Sequence, residues 1–176
     1  SRTPVSGRGA PARLEPMRPE RADLEERMGR MQHAEHTVSV RRPVSDVFNY
    51  LADGRNNREW RAGVLEIERI SPEEGEGATY RQVLAGPGGR RIDGDYRITV
   101  FDPPRRLGFS VVAGPARPEG VFELSQADQQ TTTVRFALDV QATGLMKLMT
   151  PMIARQMQRE VAQLDALKTV LERTAS

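Results

Sequence analysis

Two periods divide the chain. From about residue 36 to residue 140, apolar and polar residues alternate in short runs; from residue 144 to residue 174, apolar residues recur at three- and four-residue steps. The alternating runs predict strands. His36, Val38 and Val40 form the first, followed by Val64–Ile70, Ala78–Leu84, Arg91–Phe101, Leu107–Val112, Pro118–Ser125 and Thr131–Val140. Turn signals separate them: Ser71-Pro72, Gly86-Pro87-Gly88-Gly89, Asp102-Pro103-Pro104 and Gly114-Pro115. Between the first two strands, Val44, Val47, Phe48 and Leu51 share a helical face, with Ser45 or Asp46 able to cap, and Asp53-Gly54 ends that helix. Asn56–Trp60 reads as a second short helix.

The helical period predicts one rod from Gly144 to about Thr174, roughly 45 Å long at about 1.5 Å per residue. Leu145, Met149, Met152, Gln156, Glu160, Leu164, Leu167 and Leu171 fall on its expected inner face. Each strand has one apolar and one polar side, which fits an antiparallel sheet packed on one face and wet on the other. The fold class is α+β: a seven-stranded antiparallel sheet wrapped around a long C-terminal helix, with two short helices after strand 1. Residues 35–176 make this domain. Residues 1–34 are expected to be a disordered or partly helical N-terminal extension: Pro, Gly, Ser and Arg dominate its start, and Leu24, Met28 and Met31 recur at helical spacing within Glu20–Gln32.

Charge narrows the function classes. Residues 1–33 hold 7 Arg against 5 Asp and Glu, and the other 19 basic and 19 acidic residues cancel. A neutral domain argues against a nucleic-acid partner. The 176 residues contain no Cys, so disulfide and thiol chemistry are excluded. No apolar run reaches the roughly 20 residues that span a bilayer, and the first residues carry no signal-like run, so a cytoplasmic location is the expectation.

Alternation aims Tyr80, Gln82, Tyr96, Ile98, Phe109, Phe122 and Phe136 at the space between sheet and helix, and the helical face adds Met149, Met152 and Gln156. With Trp60, the single Trp, these are the candidate ligand-binding positions. Apolar walls with a few polar groups suit a hydrophobic small molecule, and the alternative is that the same side chains simply fill a core. Catalytic signals are thin. The histidines are His33 in the extension and His36 at the edge of the first strand, so neither a His-based triad nor a metal site is expected, and no cofactor is implied. Asp93 and Asp95 share the polar side of a strand. Glu160 is either a buried acid or the partner of an Arg at the cavity rim.

The element order is that of the helix-grip layout, and particular residues also resemble a family. Pro43-Val44-Ser45-Asp46-Val47-Phe48, Trp60, Gly75-Glu76-Gly77-Ala78-Thr79-Tyr80 and Phe101-Asp102-Pro103-Pro104-Arg105-Arg106-Leu107 are similar to segments of the polyketide cyclase/dehydrase branch of the SRPBCC (START-like) superfamily. So are Gly144-Leu145 and Leu167-Lys168. The resemblance covers residues 35 to about 173. It implies a helix-grip domain that binds a lipid, quinone or polyketide-like molecule. The alternative it implies is a cyclase, aromatase or dehydratase using Tyr80, Tyr96 and Glu160 as acid/base groups; a third reading, from the tail and the Met-rich helix start, is a regulatory module with a protein partner. Arg81, beside Tyr80, alternates to the outward face, away from such chemistry.

Overall fold

The computed structural model describes residues 19–28 and 31–174. Helix α1 (Pro19–Met28) precedes the sheet. The expected disorder of residues 1–18 lies outside the described residues. Strand β1 runs Met31–Val40, beginning ahead of the expected His36 because Ala34 is buried and Met31 pairs with Gln141 across the ladder. The remaining strands are β2 (Val64–Arg69), β3 (Thr79–Ala85), β4 (Arg91–Asp93), β5 (Tyr96–Asp102), β6 (Arg106–Val111), β7 (Glu119–Asp128) and β8 (Thr131–Gln141). Seven of them form a continuous antiparallel sheet in the order β1-β8-β7-β6-β5-β3-β2, and the three-residue β4 pairs with the end of β3.

Where alternation predicts one strand over Arg91–Phe101, the structure has two, β4 and β5. The break falls at Gly94-Asp95, where the carboxylate of Asp95 accepts the Gln82 backbone N–H at 3.0 Å in place of a ladder carbonyl. Gly94 fits there because a Cβ would lie 2.7 Å from Leu84 Cδ1. Asp93 and Asp95 are therefore parts of a strand irregularity, with Asp93 exposed.

Between β1 and β2 the chain forms α2 (Val44–Ala52), a 3-10 turn (Gly54–Asn56) and α3 (Asn57–Trp60). Val47, Phe48 and Leu51 bury the expected face of α2. Its N-cap position is Pro43, which offers no side-chain acceptor, so Ser45 and Asp46 sit inside the first turn instead of capping it.

The C-terminal rod is segmented. A 3-10 stretch (Gly144–Met149) leads into α4 (Thr150–Ala162), and α5 (Leu164–Arg173) follows after Gln163. Pro151 in the first turn restarts the helix, because a ring without an N–H suits a beginning better than an interior. One face runs through both helices: Ile153 packs against the core, Met157 and Val161 are buried, and Leu164, Leu167 and Leu171 follow, with Leu171 about five turns on from Ile153. Met149, Met152 and Gln156, which the uninterrupted period puts on this inner face, instead point to solvent. A shift of one residue turns a helical position by about 100°.

Candidate functional site

The concave side of the sheet carries an aromatic row. Tyr80 and Tyr96 are directly opposite in the β3–β5 ladder, and their rings stack at 5.0 Å between centroids. Phe109 meets Tyr96 at 5.6 Å, Phe122 meets Phe109 at 6.1 Å, and Phe136 stacks on Phe122 at 4.3 Å. Gly120, opposite Phe109 on β7, makes this possible, since a Cβ there would lie 2.3 Å from the Phe109 ring. Trp60 of α3 closes one side, edge-on to Phe122 at 6.2 Å. All eight expected positions on the sheet and α3, from Trp60 to Phe136, are buried.

Four of those residues, Tyr96, Ile98, Phe109 and Phe122, surround a cavity of about 20 Å³, completed by Leu51, Leu107, Asn57 and Arg61. This volume holds roughly one water. A guest larger than this requires movement.

The polar wall of the cavity was not evident in the sequence. Asn57 and Arg61 lie one turn apart at the two ends of α3, and both face the row of rings. Asn57 Nδ2 donates to the Tyr96 hydroxyl at 3.3 Å. Among the described residues, nothing accepts the Tyr96 hydroxyl proton. Burial, with Tyr80 alongside, pushes Tyr96 well above the ordinary tyrosine pKa, so it remains a donor at neutral pH. Arg61 is 11% exposed and lies over the Trp60 ring at 5.9 Å. Its Nε donates to Glu160 Oε1 at 2.6 Å and its Nη2 reaches the same oxygen. Its Nη1 has no acceptor among the described residues. Gln163 binds the second Glu160 oxygen at 3.1 Å and accepts the Ala62 N–H at 2.6 Å. Glu160 thus ties the C-terminal helix to the end of α3, as the rim-Arg reading expects. A cation and several hydrogen-bond donors face an apolar space.

The other candidates lie elsewhere. Gln82 is buried two residues beyond Tyr80 on the same face of β3; its Nε2 donates to Gly94 O at 3.2 Å, while its Oε1 has no partner among the described residues. The Trp60 indole N–H is likewise unpartnered there. Tyr80 Oη donates to Ala52 O at 3.4 Å. Arg81 is exposed, as alternation requires. His33 and His36 contact carboxylates at the exposed edge of β1, Asp139 and Glu35 for the first and Asp165 for the second. The Asn57 and Arg61 side chains carry no periodic signal, because a four-residue helix is too short to show one; their i, i+4 spacing next to the only Trp was the available hint.

Residues 31–172 match the model of a family described as polyketide cyclase/dehydrase and lipid transport. No curated protein matches the sequence. The fold is similar to solved structures: the Zhui aromatase/cyclase from Streptomyces sp. R1128 is 24% identical with a TM-score of 0.67, covering 83% of this chain and 96% of that one. A START superfamily protein from Mycobacterium smegmatis is 14% identical (TM-score 0.67; 81% and 98% covered). TTHA0849 from Thermus thermophilus is 17% identical (TM-score 0.70; 82% and 99% covered).

Proposed function

Since the chain belongs to the polyketide cyclase/dehydrase and lipid transport family, we propose that it binds a hydrophobic small molecule bearing an acceptor oxygen, held between sheet and C-terminal helix. The observation that carries this reading is the donor set of Arg61, Asn57 and Tyr96 against aromatic walls. The Tyr96 hydroxyl proton and Arg61 Nη1, without acceptors among the described residues and beside apolar rings, match a guest with an apolar body and a carboxylate, enol or carbonyl oxygen. The cavity of about 20 Å³ must widen to admit it. The start of the C-terminal rod is the part suited to move, since α5 buries Leu164, Leu167 and Leu171 while residues 144–152 bury no side chain.

A second reading follows from the Tyr96 proton. The same donors would stabilise an enolate, as a cyclisation or dehydration requires, with Tyr96 the best placed of the three candidate acid/base groups. Glu160 is already engaged by Arg61 and Gln163, and the Tyr80 hydroxyl is directed at a backbone carbonyl.

Calorimetric titration with anthraquinone-2-carboxylic acid, a fatty acid and their methyl esters tests the binding reading. Arg61→Gln should weaken binding of the acids by roughly tenfold and of the esters much less, the scale of one charge-assisted hydrogen bond. Glu160→Gln frees the guanidinium and should strengthen it. Acid affinities untouched by both substitutions, in variants that melt cooperatively, would remove the anchor from the account.

A further inference from the structure

Leu145, Met149 and Met152, expected to face inward at the start of the C-terminal rod, face out, and Leu148 lies among them. Leu145 and Leu148 are each 82% exposed, Met149 46% and Met152 53%, at the i, i+3, i+4, i+7 spacing of one face. Large apolar side chains grouped in this way mark a contact surface. The sheet registers place them among other connections. Met31 opposite Gln141, Ser110 opposite Glu119 and Ala85 opposite Arg91 put the turns 86–90 and 112–118 at the same end of the sheet as residue 144. Val112, 49% exposed, adds to the apolar surface there.

Charge identifies the partner. Residues 86–90, 112–118 and 140–159 contain no Asp or Glu, and they present Arg90, Arg117, Lys147 and Arg155, all exposed. None of these four forms an ion pair among the described residues. The carboxylates near these turns, Glu66, Asp93, Asp95, Glu119 and Asp139, sit on or between the strands, where Glu66 pairs with Arg91, Asp95 accepts the Gln82 N–H and Asp139 is bonded to His33. From this combination of protruding leucines and methionines with basic side chains, we propose that this end of the molecule docks on an anionic lipid bilayer, with the Leu145–Met152 stripe entering the headgroup region. Residues 1–18 do not complement the surface, since they hold four Arg and one Glu. A second copy would set like charges against each other. Nucleic acid would leave the apolar stripe without a partner.

Co-sedimentation of the full chain with vesicles of phosphatidylcholine alone, and of phosphatidylcholine with phosphatidylglycerol, tests this. The protein should bind the anionic vesicles, bind less as salt rises, and bind neutral vesicles far less. Leu145→Ser with Leu148→Ser should lower binding by at least about tenfold without changing Tm, because both side chains are already in solvent. Absence of binding to anionic vesicles overturns the proposal. So does vesicle binding that survives the double substitution, which would leave charge alone as the cause. A dimer that the double substitution dissociates, with no vesicle binding, would reassign the stripe to a second copy.

Discussion

Gly54 occupies a position that no other residue fits. A Cβ there would lie 2.1 Å from the Tyr96 hydroxyl and 2.8 Å from Tyr80 Cε1, so the turn between α2 and α3 closes over the tyrosine pair only because the side chain is absent. Asp53 holds that turn by accepting from the Arg55 backbone N–H at 3.1 Å and from its guanidinium at 2.7 Å. Gly54→Ala must displace a stacked ring or lift the turn, and should destabilise the fold by about 1–3 kcal/mol, the ordinary cost of overpacking. Urea unfolding measures this. An unchanged midpoint would mean that the turn does not hold the tyrosines. The same turn leads into α3, so the variant should also disturb the Asn57–Tyr96 hydrogen bond at 3.3 Å and weaken binding of an acidic guest. The residues that form this arrangement were only partly legible. Tyr80, Tyr96, Phe109, Phe122 and Phe136 follow from strand alternation, which has only two phases. Asn57 and Arg61 come from an irregular turn, where no period indicates direction.

At the scale of elements, strands and helix differ in how a misreading behaves. A strand assigned to the wrong face is wrong throughout, and here the residues that alternation turns inward on β3, β5, β6, β7 and β8 are buried. A helix can keep its amphipathic pattern and still rotate. The four-residue steps from Met152 through Gln156 and Glu160 to Leu164 drift by about 40° each, so Met152 and Gln156 lie outward beside the buried face of Ile153, Met157, Val161 and Leu164, and Met149 lies outward in the 3-10 stretch ahead of them. The break at Gln163 lies where its side chain bridges Ala62 and Glu160, a contact from outside the helix that helical periodicity does not encode. A pH effect belongs to the β1–β8 pair. His33 contacts Asp139 at 2.7 Å through Nδ1 and Glu35 at 3.1 Å through Nε2, so both ring nitrogens face carboxylates. Those hydrogen bonds, to Asp139 first, raise its pKa above 6.5 in the folded state. The stabilisation is therefore complete below the unfolded value and is lost as pH rises through the raised folded value. Chemical denaturation from about pH 6 to about pH 8 should show wild-type stability declining more than that of His33→Gln. Parallel curves would show that the contacts contribute nothing.

Across the whole molecule, one curved sheet and one segmented helix divide the work. α5 anchors the helix through three fully packed leucines, while the 3-10 stretch and the start of α4 bury nothing and expose an apolar stripe. Between them, the Arg61–Glu160 pair ties the C-terminal helix to the end of α3 beside a small cavity walled by rings and donors. The family and its helix-grip fold were legible from the order of elements and from a few turn and helix segments. The size of the cavity was not, because packing around it depends on ring orientation. The central claim is that this space takes up an apolar guest with an acceptor oxygen. Native mass spectrometry of the full chain recovered from its own cells, followed by extraction of whatever it carries, addresses that claim most directly. The account predicts a one-to-one complex with an apolar molecule bearing a carboxyl, enol or carbonyl group, sharply depleted in Arg61→Gln. Protein recovered without a guest, and unshifted in Tm by fatty acids, quinones and aromatic polyketides, would contradict it.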